Sequence, residues 1–330
     1  MQMTEILILS ASEVKRLVSM RDIVDAVEEA FRAYGKGDAR LAPVVLTMVN
    51  GHEGEHEIKS GYVEGYSIGT KVVTFYSHNR ERYGLPALSG IIVLNDLDDG
   101  RPLAVLDGAY ITASRTGAAG AVAAKYLARK DSRKVGVIGA GTQGRYQVAA
   151  LTEVLSIDSV KVYDAVPRSA AKYVEEMQGR YRLEVEKTES PMQALQGADI
   201  IITATPSTQP IVHDGWVREG VHINAIGADS PGKQELDPAI VARSKVVVDS
   251  AAQCIERGEI QTAVRLGLLR REQIYAELSE IVLGHKTGRI DAREITLFDA
   301  TGIAVQDITT AYTVYQLAKK EKMGVTINMR

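Results

Sequence analysis

A short apolar run that breaks into closely spaced glycines constrains the fold of this chain more than any other feature. The run Lys134–Gly144, KVGVIGAGTQG, carries Gly139, Gly141 and Gly144 in a G-x-G-x-x-G pattern. In a dinucleotide-binding turn the first glycine permits a tight bend, the second lets the backbone approach a pyrophosphate, and the third lets a helix pack closely. The pattern therefore predicts a buried strand, a phosphate-binding turn and a helix in direct succession.

The segments after the glycines supply the context that this pattern needs. A helix is predicted from Thr142 to about Leu155, and its free N–H groups would face the phosphates. A second strand, Ser159–Tyr163, ends at Asp164, roughly 20 residues after the glycines, where such units place an acid on the adenosine ribose. We therefore predict a dinucleotide site. The acid favours NAD over NADP, although Arg168 would offset part of its repulsion of a 2′-phosphate.

Apolar strands alternate with amphipathic helices beyond this point. Helices are predicted over 167–178, 190–196, 236–242 and 250–257, and strands over 183–187, 199–203, 221–226, 245–248 and 294–298. Such alternation is typical of a doubly wound parallel sheet. The predicted fold class is therefore α/β, with a Rossmann domain over residues 113–303.

The first part of the chain has a different pattern. Strand-like runs separated by turn residues occur at 44–49, 57–63, 69–76, 89–94 and 102–106. A helix opened by the capping box Ser19-x-x-Asp22 precedes them, and Asn50-Gly51 and His78-Asn79 are two of the separating turns. These runs predict an antiparallel sheet in a second, α+β domain. The final helix, 303–320, is predicted to return to it, so that this domain is discontinuous and comprises residues 1–112 with 304–330.

Composition limits the partners of the chain. The 330 residues carry a formal net charge of −3 and no long basic run, which gives no reason to expect nucleic acid or an anionic membrane. The N-terminal apolar patch is four residues long and lacks a basic region, so it predicts a strand rather than a signal peptide or anchor. The single cysteine, Cys254, suits a reducing cytoplasm. We expect a cytoplasmic protein whose partners are small molecules and copies of itself.

Loops after the parallel strands are the first candidates for a ligand site, because ligands of open α/β sheets bind at the carboxyl ends of strands. The candidate loops are Ala204–Ser207, Gly227–Lys233, Asp249-Ser250 and Asp299–Gly302. Asp229 is the candidate general acid/base, since a carboxylate there can take a proton from an amine or activate water. The same sequence also fits an aspartate that caps the predicted helix 236–242. Asp249 and Asp299 are more easily explained as caps.

A small acidic substrate needs fixed cations, and the candidates lie in the first domain. Lys71 lies in an apolar strand, where a half-buried charge requires a partner. Arg115 lies in the small-residue helix 111–127 and could offer a bidentate fork to a carboxylate. Lys59 and Glu57 share one face of a strand. Each of these could form a structural ion pair, but their joint placement favours a substrate site.

The histidines do not indicate a metal. His52 and His56 are four apart, but they lie among glycines and glutamates in a predicted turn rather than on a helix face. His78, His213, His222 and His285 have no partner at ligand spacing. We therefore predict no metal site.

Five ordered blocks make the chain resemble the ornithine cyclodeaminase/mu-crystallin family, most of all its archaeal-type alanine dehydrogenase branch. The blocks are GLPALSGIIVLND (84–96), LDGAYITASRTGAAGAVAAKYLARKDS (106–132), VGVIGAGTQG (135–144), HINAIGADSPGKQELD (222–237) and ITLFDATGIAVQD (295–307). They span essentially the whole chain. The resemblance implies an N-terminal dimerisation and substrate domain, completed by the C-terminal helix, next to a Rossmann domain, and hence a homodimer.

The resemblance also implies roles for individual residues. By motif match, Lys71 and Arg115 would hold the substrate carboxylate, and Asp229 would be the catalytic acid/base. Glu57 lies where the cyclodeaminase has a glutamate near the substrate amine, and the loop 300–302 would close over substrate and nicotinamide. The residues assigned to the substrate are Lys71, Arg115, Glu57, Lys59, Thr301 and Gly302, with Lys71 and Asp229 as catalytic residues. Those assigned to the cofactor are Gly139, Ala140, Gly141, Thr142, Gln143, Gly144, Asp164, Arg168, Thr116, Thr205, Pro206, Gly227 and Asp229.

The chain departs from the family pattern at two places near the expected substrate pocket. Family members usually carry a basic residue just after the proline near position 43, where this chain has Val44. The usual Met-Pro-Ala before the family lysine is replaced by Ile58-Lys59-Ser60-Gly61. Lys59 would supply the missing cation from a neighbouring position.

The leading hypothesis is an NAD-dependent enzyme acting at the α-carbon of a small L-amino acid or its imine, as alanine dehydrogenase or a cyclic ketimine reductase does. One alternative is an ornithine cyclodeaminase, which forms proline and ammonia while NAD is recycled. The other is a non-catalytic protein that binds the cofactor or a ligand, as mu-crystallin does. Glu57 favours a diamine substrate, whereas the nucleotide-domain motifs favour alanine dehydrogenase.

Overall fold

The computed structural model describes residues 4–49 and 54–329. Its internal contacts divide the chain into two compact units, with residues 1–115 and 303–330 in unit 1 and residues 116–302 in unit 2. The predicted turn at Asn50-Gly51 and the side chain of His52 lie outside the described residues.

Helices and short strands follow one another along the whole described chain. The first part contains β1 (Thr4–Leu9), α1 (Ala11–Leu17), α2 (Met20–Lys36), β2 (Ala39–Leu41), β3 (Val45–Val49), β4 (Gly54–Val63), β5 (Ser67–Tyr76), α3 (Asn79–Tyr83), β6 (Leu88–Asn95), β7 (Pro102–Asp107) and α4 (Gly108–Leu127). The middle part contains β8 (Lys134–Ile138), α5 (Thr142–Leu151), β9 (Ser159–Tyr163), α6 (Pro167–Arg180), β10 (Glu184–Lys187), α7 (Pro191–Leu195), β11 (Ile200–Thr203), β12 (Thr208–Val212), β13 (His222–Ala225), β14 (Gln234–Leu236), α8 (Pro238–Arg243), β15 (Lys245–Val248), α9 (Ala251–Arg257), α10 (Gln261–Arg265), β16 (Ala276–Glu277), α11 (Leu278–Val282) and β17 (Thr296–Asp299). The chain continues with α12 (Ala304–Glu321) and β18 (Val325–Met329).

Unit 1 is built on a sheet with the strand order β18-β1-β7-β6-β5-β4-β2, in which β3 also pairs with β4. The strands from β2 to β7 pair antiparallel, as the turn residues predicted, while β1 and β7 pair in parallel. Side chains of β5 alternate along the strand, so that Lys71 and Val73 are buried while Val72 and Thr74 are partly exposed. The buried face is covered by helix α12, which packs on β4, β5 and β6. This packing decides which side chains can meet Lys71.

Helix α2 begins as its sequence predicts. The Ser19 N–H donates to the Asp22 carboxylate at 2.9 Å, and the Asp22 N–H donates to the Ser19 hydroxyl at 3.2 Å. This reciprocal pair is a capping box that satisfies N–H groups left over at the helix start. The buried residues Ile23, Val27 and Phe31 lie on one side of the helix, at the spacing of an amphipathic helix.

Unit 2 confirms the predicted doubly wound α/β fold. Its main sheet is parallel at every pairing, with the order β10-β9-β8-β11-β13-β17-β15-β16. Ile201 and Ile223 belong to one hydrophobic cluster, and Ile200 and Ile202 to another, because successive strand residues face opposite sides of the sheet. The chain runs outward from β8 to β10 and then returns to the other side of β8 with β11. A ligand crevice is expected at the carboxyl ends of β8 and β11, where the strand order reverses.

The structure corrects several predicted boundaries. The helix after the glycines ends at Leu151, not near Leu155, because the chain then tightens into turns in which the N–H groups of Glu153 and Val154 bond three residues back. The last strand of the parallel sheet spans 296–299, so Asp299 lies inside the strand rather than in the loop after it. The turn predicted at His78-Asn79 contains the short helix α3.

Helices α1, α10 and α11 and the short strands β2, β12, β14, β16 and β18 were not predicted. Elements this short leave little periodic signal in a sequence. Within the described residues, no helix is both long and apolar enough to cross a membrane.

Candidate functional site

The three glycines after β8 differ in their backbone conformation and in the space available for a side chain. Gly139 has φ +106°, and a side chain at Gly144 would bring a Cβ within 2.2 Å of the Gly139 carbonyl oxygen. Both positions therefore need glycine for the fold itself. Gly141 has φ −81°, and a Cβ there would meet nothing within 4 Å. The open space beside Gly141 fits a pyrophosphate that must approach the backbone closely.

Helix α5 begins directly at this turn. Gly141 is its N-cap residue and contributes no side-chain hydrogen bond to the first turn of the helix. The N–H groups of that turn and the positive end of the helix dipole suit an anion. The side chain of the next residue but one, Gln143, has a buried Oε1 atom without a hydrogen-bond partner among the described residues. Together with the space at Gly141, the helix N–H groups fit the phosphates of a dinucleotide, whereas the Gln143 Oε1 is an acceptor and would need a donor such as a hydroxyl or amide N–H.

Asp164 is bonded to the glycine turn. Its Oδ2 accepts from the Ala140 N–H at 2.8 Å, and its Oδ1 accepts from the Val166 N–H at 2.8 Å. Each carboxylate oxygen can accept a further hydrogen bond, so binding of a ribose hydroxyl stays compatible with these contacts. Arg168 is exposed near the start of α6. The preference for NAD over NADP remains a prediction from these two residues.

Arg145 is a residue of this turn that the sequence reasoning missed. Its guanidinium donates to the carbonyl of Ala140 and, at 3.1 Å, to that of Gly141, while Nε donates to Glu176 at 2.5 Å. It also lies 5.1 Å from the centroid of the Tyr173 ring. The arginine therefore fixes the carbonyls of the glycine turn. Its position in the first turn of the helix, four residues after Gly141, is the signal that could have identified it.

Asp229 follows β13 and is not the cap of the next helix. That role belongs to Asp237, which accepts from the Ala239 N–H at 2.9 Å at the start of α8. The Asp229 side chain is 49% exposed and pairs with Lys233, whose Nζ lies 2.7 Å from Oδ1. Arg257 holds the Asp229 carbonyl at 2.7 Å. The alternative explanation of Asp229 as a helix cap is therefore wrong, and its carboxylate lies within reach of solvent and ligands. Lys233 was not among the predicted site residues.

The loop 300–302 is fixed by Asp249, which was expected to cap a helix. The Asp249 Oδ2 accepts from the Gly302 N–H at 2.6 Å, and Oδ1 lies 3.4 Å from the Thr301 hydroxyl. Helix α9 has Ser250 as its N-cap residue and no side-chain cap. The cap prediction for Asp249 is therefore wrong, and its carboxylate anchors the loop.

Thr116, another residue predicted to lie at the cofactor, is the first residue of unit 2. Its carbonyl accepts a hydrogen bond from the Gln147 side chain at 2.9 Å.

Unit 1 contains a buried group of cations that we call the cation cluster, consisting of Lys59, Lys71 and Arg115 together with Glu57, Gln306 and Asp307. Lys59 and Lys71 are direct neighbours across β4 and β5, and the three cations are at most 4% exposed. The Asp307 carboxylate lies between two of them, 2.8 Å from the Lys71 Nζ and 2.8 Å from the Arg115 Nε. Lys59 pairs with Glu57 at 3.2 Å.

The cation cluster holds more positive than negative charge. Lys59, Lys71 and Arg115 face two carboxylates, Glu57 and Asp307. Burial, followed by repulsion from Arg115, lowers the pKa of Lys71 to about 7, although Asp307 opposes that shift. Burial alone would raise the pKa of Asp307, but Arg115 and Lys71 hold it below its usual value. A buried site with surplus positive charge favours the binding of an anion.

Two nitrogens of the cation cluster are left without a hydrogen bond. The Lys71 Nζ lies close to Asp307 but is not aligned as a hydrogen bond, and neither it nor the Gln306 Nε2 has another partner among the described residues. Buried donors are rarely left unpaired in folded proteins. These two donors, next to surplus positive charge, are suited to the oxygens of a carboxylate.

The bidentate fork predicted for Arg115 is occupied by the chain itself. Nε donates to Asp307 at 2.8 Å and Nη1 donates to Gln306 Oε1 at 2.8 Å. Helix α12 supplies acceptors for these two nitrogens, and the role of Arg115 toward a substrate carboxylate stays a prediction. Gln306 and Asp307 were quoted in a family block but received no role in the sequence reasoning. Within residues 4–49 and 54–329, no group of three or more metal-binding side chains is arranged to hold a metal ion.

Comparison with known proteins places the chain among enzymes of amino-acid metabolism. A model of the ornithine cyclodeaminase/mu-crystallin family matches residues 4–322. Alanine dehydrogenase of Archaeoglobus fulgidus is 42% identical over 323 residues, which is 98% of each chain.

Two solved structures are similar over nearly the full length. An archaeal alanine dehydrogenase dimer with bound NAD is 42% identical with a TM-score of 0.94, covering 99% of this chain and 100% of the other. Delta(1)-pyrroline-2-carboxylate reductase of Thermococcus litoralis, in complex with NADH and L-proline, is 40% identical with a TM-score of 0.95, covering 98% and 100%.

Proposed function

The chain belongs to the ornithine cyclodeaminase/mu-crystallin family, and we propose that it exchanges hydride between the α-carbon of a small L-amino acid and bound NAD. It is an enzyme of the group of NAD-linked oxidoreductases that act on amino acids or imines. The finer proposal is an alanine dehydrogenase or a cyclic ketimine reductase. Unit 2 would hold NAD through the glycine turn, Asp164 and the loops after β11 and β13, and unit 1 would hold the substrate carboxylate.

The main observation behind the proposal is the surplus of one positive charge in the cation cluster. Three buried cations face two carboxylates. The Lys71 Nζ, 2.8 Å from Asp307, and the Gln306 Nε2 make no aligned hydrogen bond among the described residues. One substrate carboxylate would cancel the surplus of one charge and accept from both nitrogens. A second carboxylate on the substrate would leave the site with surplus negative charge. The charge balance therefore favours substrates with a single carboxylate.

The position of Glu57 bears on the choice between a diamine and a neutral side chain. Glu57 pairs with Lys59 at 3.2 Å, and the Lys59 side chain is 3% exposed. The terminal ammonium of ornithine would have to compete with this buried lysine for the carboxylate. An apolar substrate side chain, as in alanine or proline, makes no such demand. The ion pair thus supports a dehydrogenase or ketimine reductase over a cyclodeaminase.

Asp229 is proposed as the acid/base residue. Bound NAD would supply the hydride acceptor. Asp229 would first take the proton that the substrate ammonium must lose, while Lys233 fixes the carboxylate through the 2.7 Å contact. Loss of hydride from the α-carbon would then leave an iminium ion. For an open-chain substrate Asp229 would release its proton to solvent, take a proton from the water that adds to the iminium carbon, and return it to the departing nitrogen, so that ammonia leaves and a 2-oxo acid forms. A cyclic imine would be reduced without this hydrolysis.

The outer face of the unit 1 sheet supports a homodimer. Val45, Ile58, Val72 and Ile91 stand directly opposite one another across β3, β4, β5 and β6. Val45 is 51% exposed and Ile91 47% exposed, which is unusual for an apolar row of this length. A second copy of the chain would cover the row, in line with the dimer of the similar archaeal enzyme. Light scattering at twice the mass of 35.8 kDa is expected. The cytoplasmic location remains a prediction from composition.

A substrate panel tests the proposed reaction. The protein is incubated with NAD and L-alanine, L-proline or L-ornithine while NADH absorbance and ammonia are followed, and with NADH and pyruvate plus ammonia or a cyclic imino acid in reverse. Net NADH from alanine or proline is the expected result. Proline and ammonia from ornithine without net NADH would identify a cyclodeaminase instead. Absence of reaction in both directions would contradict the proposal and leave a binding protein.

A further inference from the structure

One buried glutamate joins two loops that the proposed function assigns to the cofactor. Glu235, in the short strand β14, is 0% exposed. Its Oε1 accepts from the Thr205 N–H at 2.6 Å, and its Oε2 accepts from the Gly227 N–H at 2.9 Å. Thr205 lies in the loop after β11, and Gly227 lies in the loop after β13 that leads to Asp229. The single carboxylate therefore bridges the ends of two neighbouring strands.

The two bridged loops are also in direct contact. A Cβ at Gly227 would lie 2.3 Å from the Thr205 carbonyl oxygen and 2.5 Å from the Glu235 Oε2. Even a methyl group would therefore force the loops or the carboxylate apart. The close approach and the two hydrogen bonds leave the loops little freedom to move separately.

Two further buried carboxylates bond to the backbone that leads to Glu235. We call Glu235, Glu259 and Asp299 the carboxylate ladder. Glu259 accepts from the Glu235 N–H at 3.0 Å and from the Leu236 N–H at 2.7 Å. Asp299 in turn accepts from the Ile260 N–H at 3.1 Å. Each carboxylate holds the backbone that carries the next one, so the ladder runs from the end of β17 to the two loops.

The pKa values of the carboxylate ladder reflect its burial and the short distances between its carboxyl groups. Burial raises the pKa of Glu235 to about 7 and that of Asp299 to about 8. Burial and the nearby charge of Glu235 raise the pKa of Glu259 well above its usual value. Closely spaced carboxylates are costly to bury. Such groups are kept where their hydrogen bonds define a backbone position that apolar residues could not define.

We propose that Glu235 is a positioning residue, which fixes the loop 204–207 relative to the loop 227–229 and so sets the place of Asp229 beside the nicotinamide. This inference rests on the proposed assignment of both loops to the cofactor. Glu235 itself touches backbone N–H groups rather than substrate. Without the Glu235 carboxylate the two loops could move apart. NAD would then bind more weakly, and the Asp229 carboxylate would lie less often within hydrogen-bond distance of the substrate amine.

The variant Glu235→Gln tests this role at nearly constant volume. Its amide offers one oxygen in place of two, so one of the two loop N–H groups faces an NH₂ group instead of an acceptor. We expect NAD affinity, measured by calorimetry, to fall about tenfold, and kcat to fall at least as much, while KM for the amino acid stays within about twofold. Hydrogen–deuterium exchange is expected to speed up in segments 204–208 and 226–229.

A matched control separates positioning from general destabilisation. Glu294 also bonds to the backbone, because it accepts from the Ile290 N–H at 3.0 Å, and it pairs with Lys245 at 2.6 Å. It lies before the start of β17, at the amino ends of the parallel strands, whereas the two loops follow carboxyl ends. Glu294→Gln should change thermal stability without changing NAD affinity or the exchange of the two loops. Gly227→Ala is a second test if Glu235→Gln does not fold, because its Cβ separates the same loops, and the same loss of NAD affinity is expected.

The inference is overturned if Glu235→Gln binds NAD as the wild type does, or if its exchange rises evenly over unit 2 and not selectively in segments 204–208 and 226–229. Failure of the proposed reaction gives a different result. If the wild type turned over no amino acid, the calorimetric and exchange measurements would still decide whether Glu235 positions the two loops.

Discussion

The cation cluster of unit 1 and the carboxylate ladder of unit 2 each bury several ionisable groups of one kind, but the partners of these groups differ. In the cation cluster, Lys59, Lys71 and Arg115 face two carboxylates, and the Lys71 Nζ lacks a hydrogen bond among the described residues. In the carboxylate ladder each carboxylate accepts from backbone N–H groups at 2.6 to 3.1 Å. The cation cluster leaves the Lys71 Nζ, the Gln306 Nε2 and the Asp307 Oδ2 without an aligned hydrogen bond among the described residues, whereas in the carboxylate ladder this holds for the Asp299 Oδ1.

This difference separates a binding site from a scaffold. A buried charge whose partners all come from the chain holds the fold, and breaking it costs stability. A buried charge whose partners are incomplete is costly until a ligand arrives, and is therefore expected to affect function more than stability. Substitutions of Lys71 in the cation cluster and of Glu259 in the carboxylate ladder should consequently have opposite profiles.

The largest expected effect comes from a carboxylate of unit 2 that stands outside the ladder. Asp229 is 49% exposed and holds none of the backbone that the ladder holds. Asp229→Asn should lower kcat by about 1,000-fold, because the amide cannot take up a proton. NAD affinity and thermal stability should remain close to those of the wild type. Turnover within about tenfold of the wild type would remove Asp229 from the acid/base role.

Glu259→Met tests the scaffold side of the comparison. The methionine leaves the N–H groups of Glu235 and Leu236 without the acceptor they have at 3.0 and 2.7 Å. Each unsatisfied buried donor costs about 1–3 kcal/mol, so we expect the free energy of unfolding to fall by about 3 kcal/mol. Thermal unfolding should show a melting temperature lower by about 10 °C. Glu259→Gln keeps one acceptor and should lose about half as much. A melting temperature unchanged by either substitution would show that the ladder is not a scaffold.

Lys71→Met tests the binding side. Removing one buried partner of the substrate carboxylate should lower kcat/KM by about 100-fold, with NAD affinity unchanged. The loss of stability should be smaller than in Glu259→Met, because Arg115 still bonds Asp307 at 2.8 Å and the fold itself disfavours the charge on Lys71. Steady-state kinetics and thermal unfolding of the same preparation measure both. A large loss of stability with little loss of activity would reverse the comparison.

The pH dependence of carboxylate binding should show the smallest effect. Burial lowers the pKa of Lys71 to about 7, so the lysine is charged below that pH and neutral above it. A bound carboxylate prefers the charged form. The affinity for L-lactate, which has no amine, should therefore be highest below pH 7 and fall by up to about tenfold per pH unit above it. In Lys71→Arg the guanidinium stays charged, so the profile should be flat. Equal profiles in both proteins would show that Lys71 does not bind the carboxylate.

The glycine turn and most strands of both units could be predicted from the sequence, because their signals are local. Gly139, Gly141 and Gly144 lie within six residues, and the apolar strand around Lys71 already predicts that this charge is at least half buried and needs a partner. The partners that decide the chemistry are distant in the chain. Arg115 and Asp307 are 192 positions apart, and Thr205 and Glu235 are 30 apart. No periodicity connects such pairs.

Asp249 shows that a local sequence pattern can also predict the wrong partner for a side chain. As an aspartate directly before a predicted helix it matched a local cap pattern, but its Oδ2 accepts from Gly302, 53 positions away. Local patterns thus favour the nearest explanation of a carboxylate. Packing decides between that explanation and a distant one, and packing is not visible in a single sequence.

The central claim, hydride exchange at the α-carbon of an amino acid whose carboxylate is held by the cation cluster, can be tested by isotope transfer. L-alanine and L-proline deuterated at the α-carbon are incubated with NAD and the wild-type protein, and the reduced cofactor is analysed by mass spectrometry. We predict one deuterium in the NADH formed, with the amount reduced about 100-fold in Lys71→Met. NADH that contains no deuterium, or deuterated NADH formed equally well by Lys71→Met, would contradict the account.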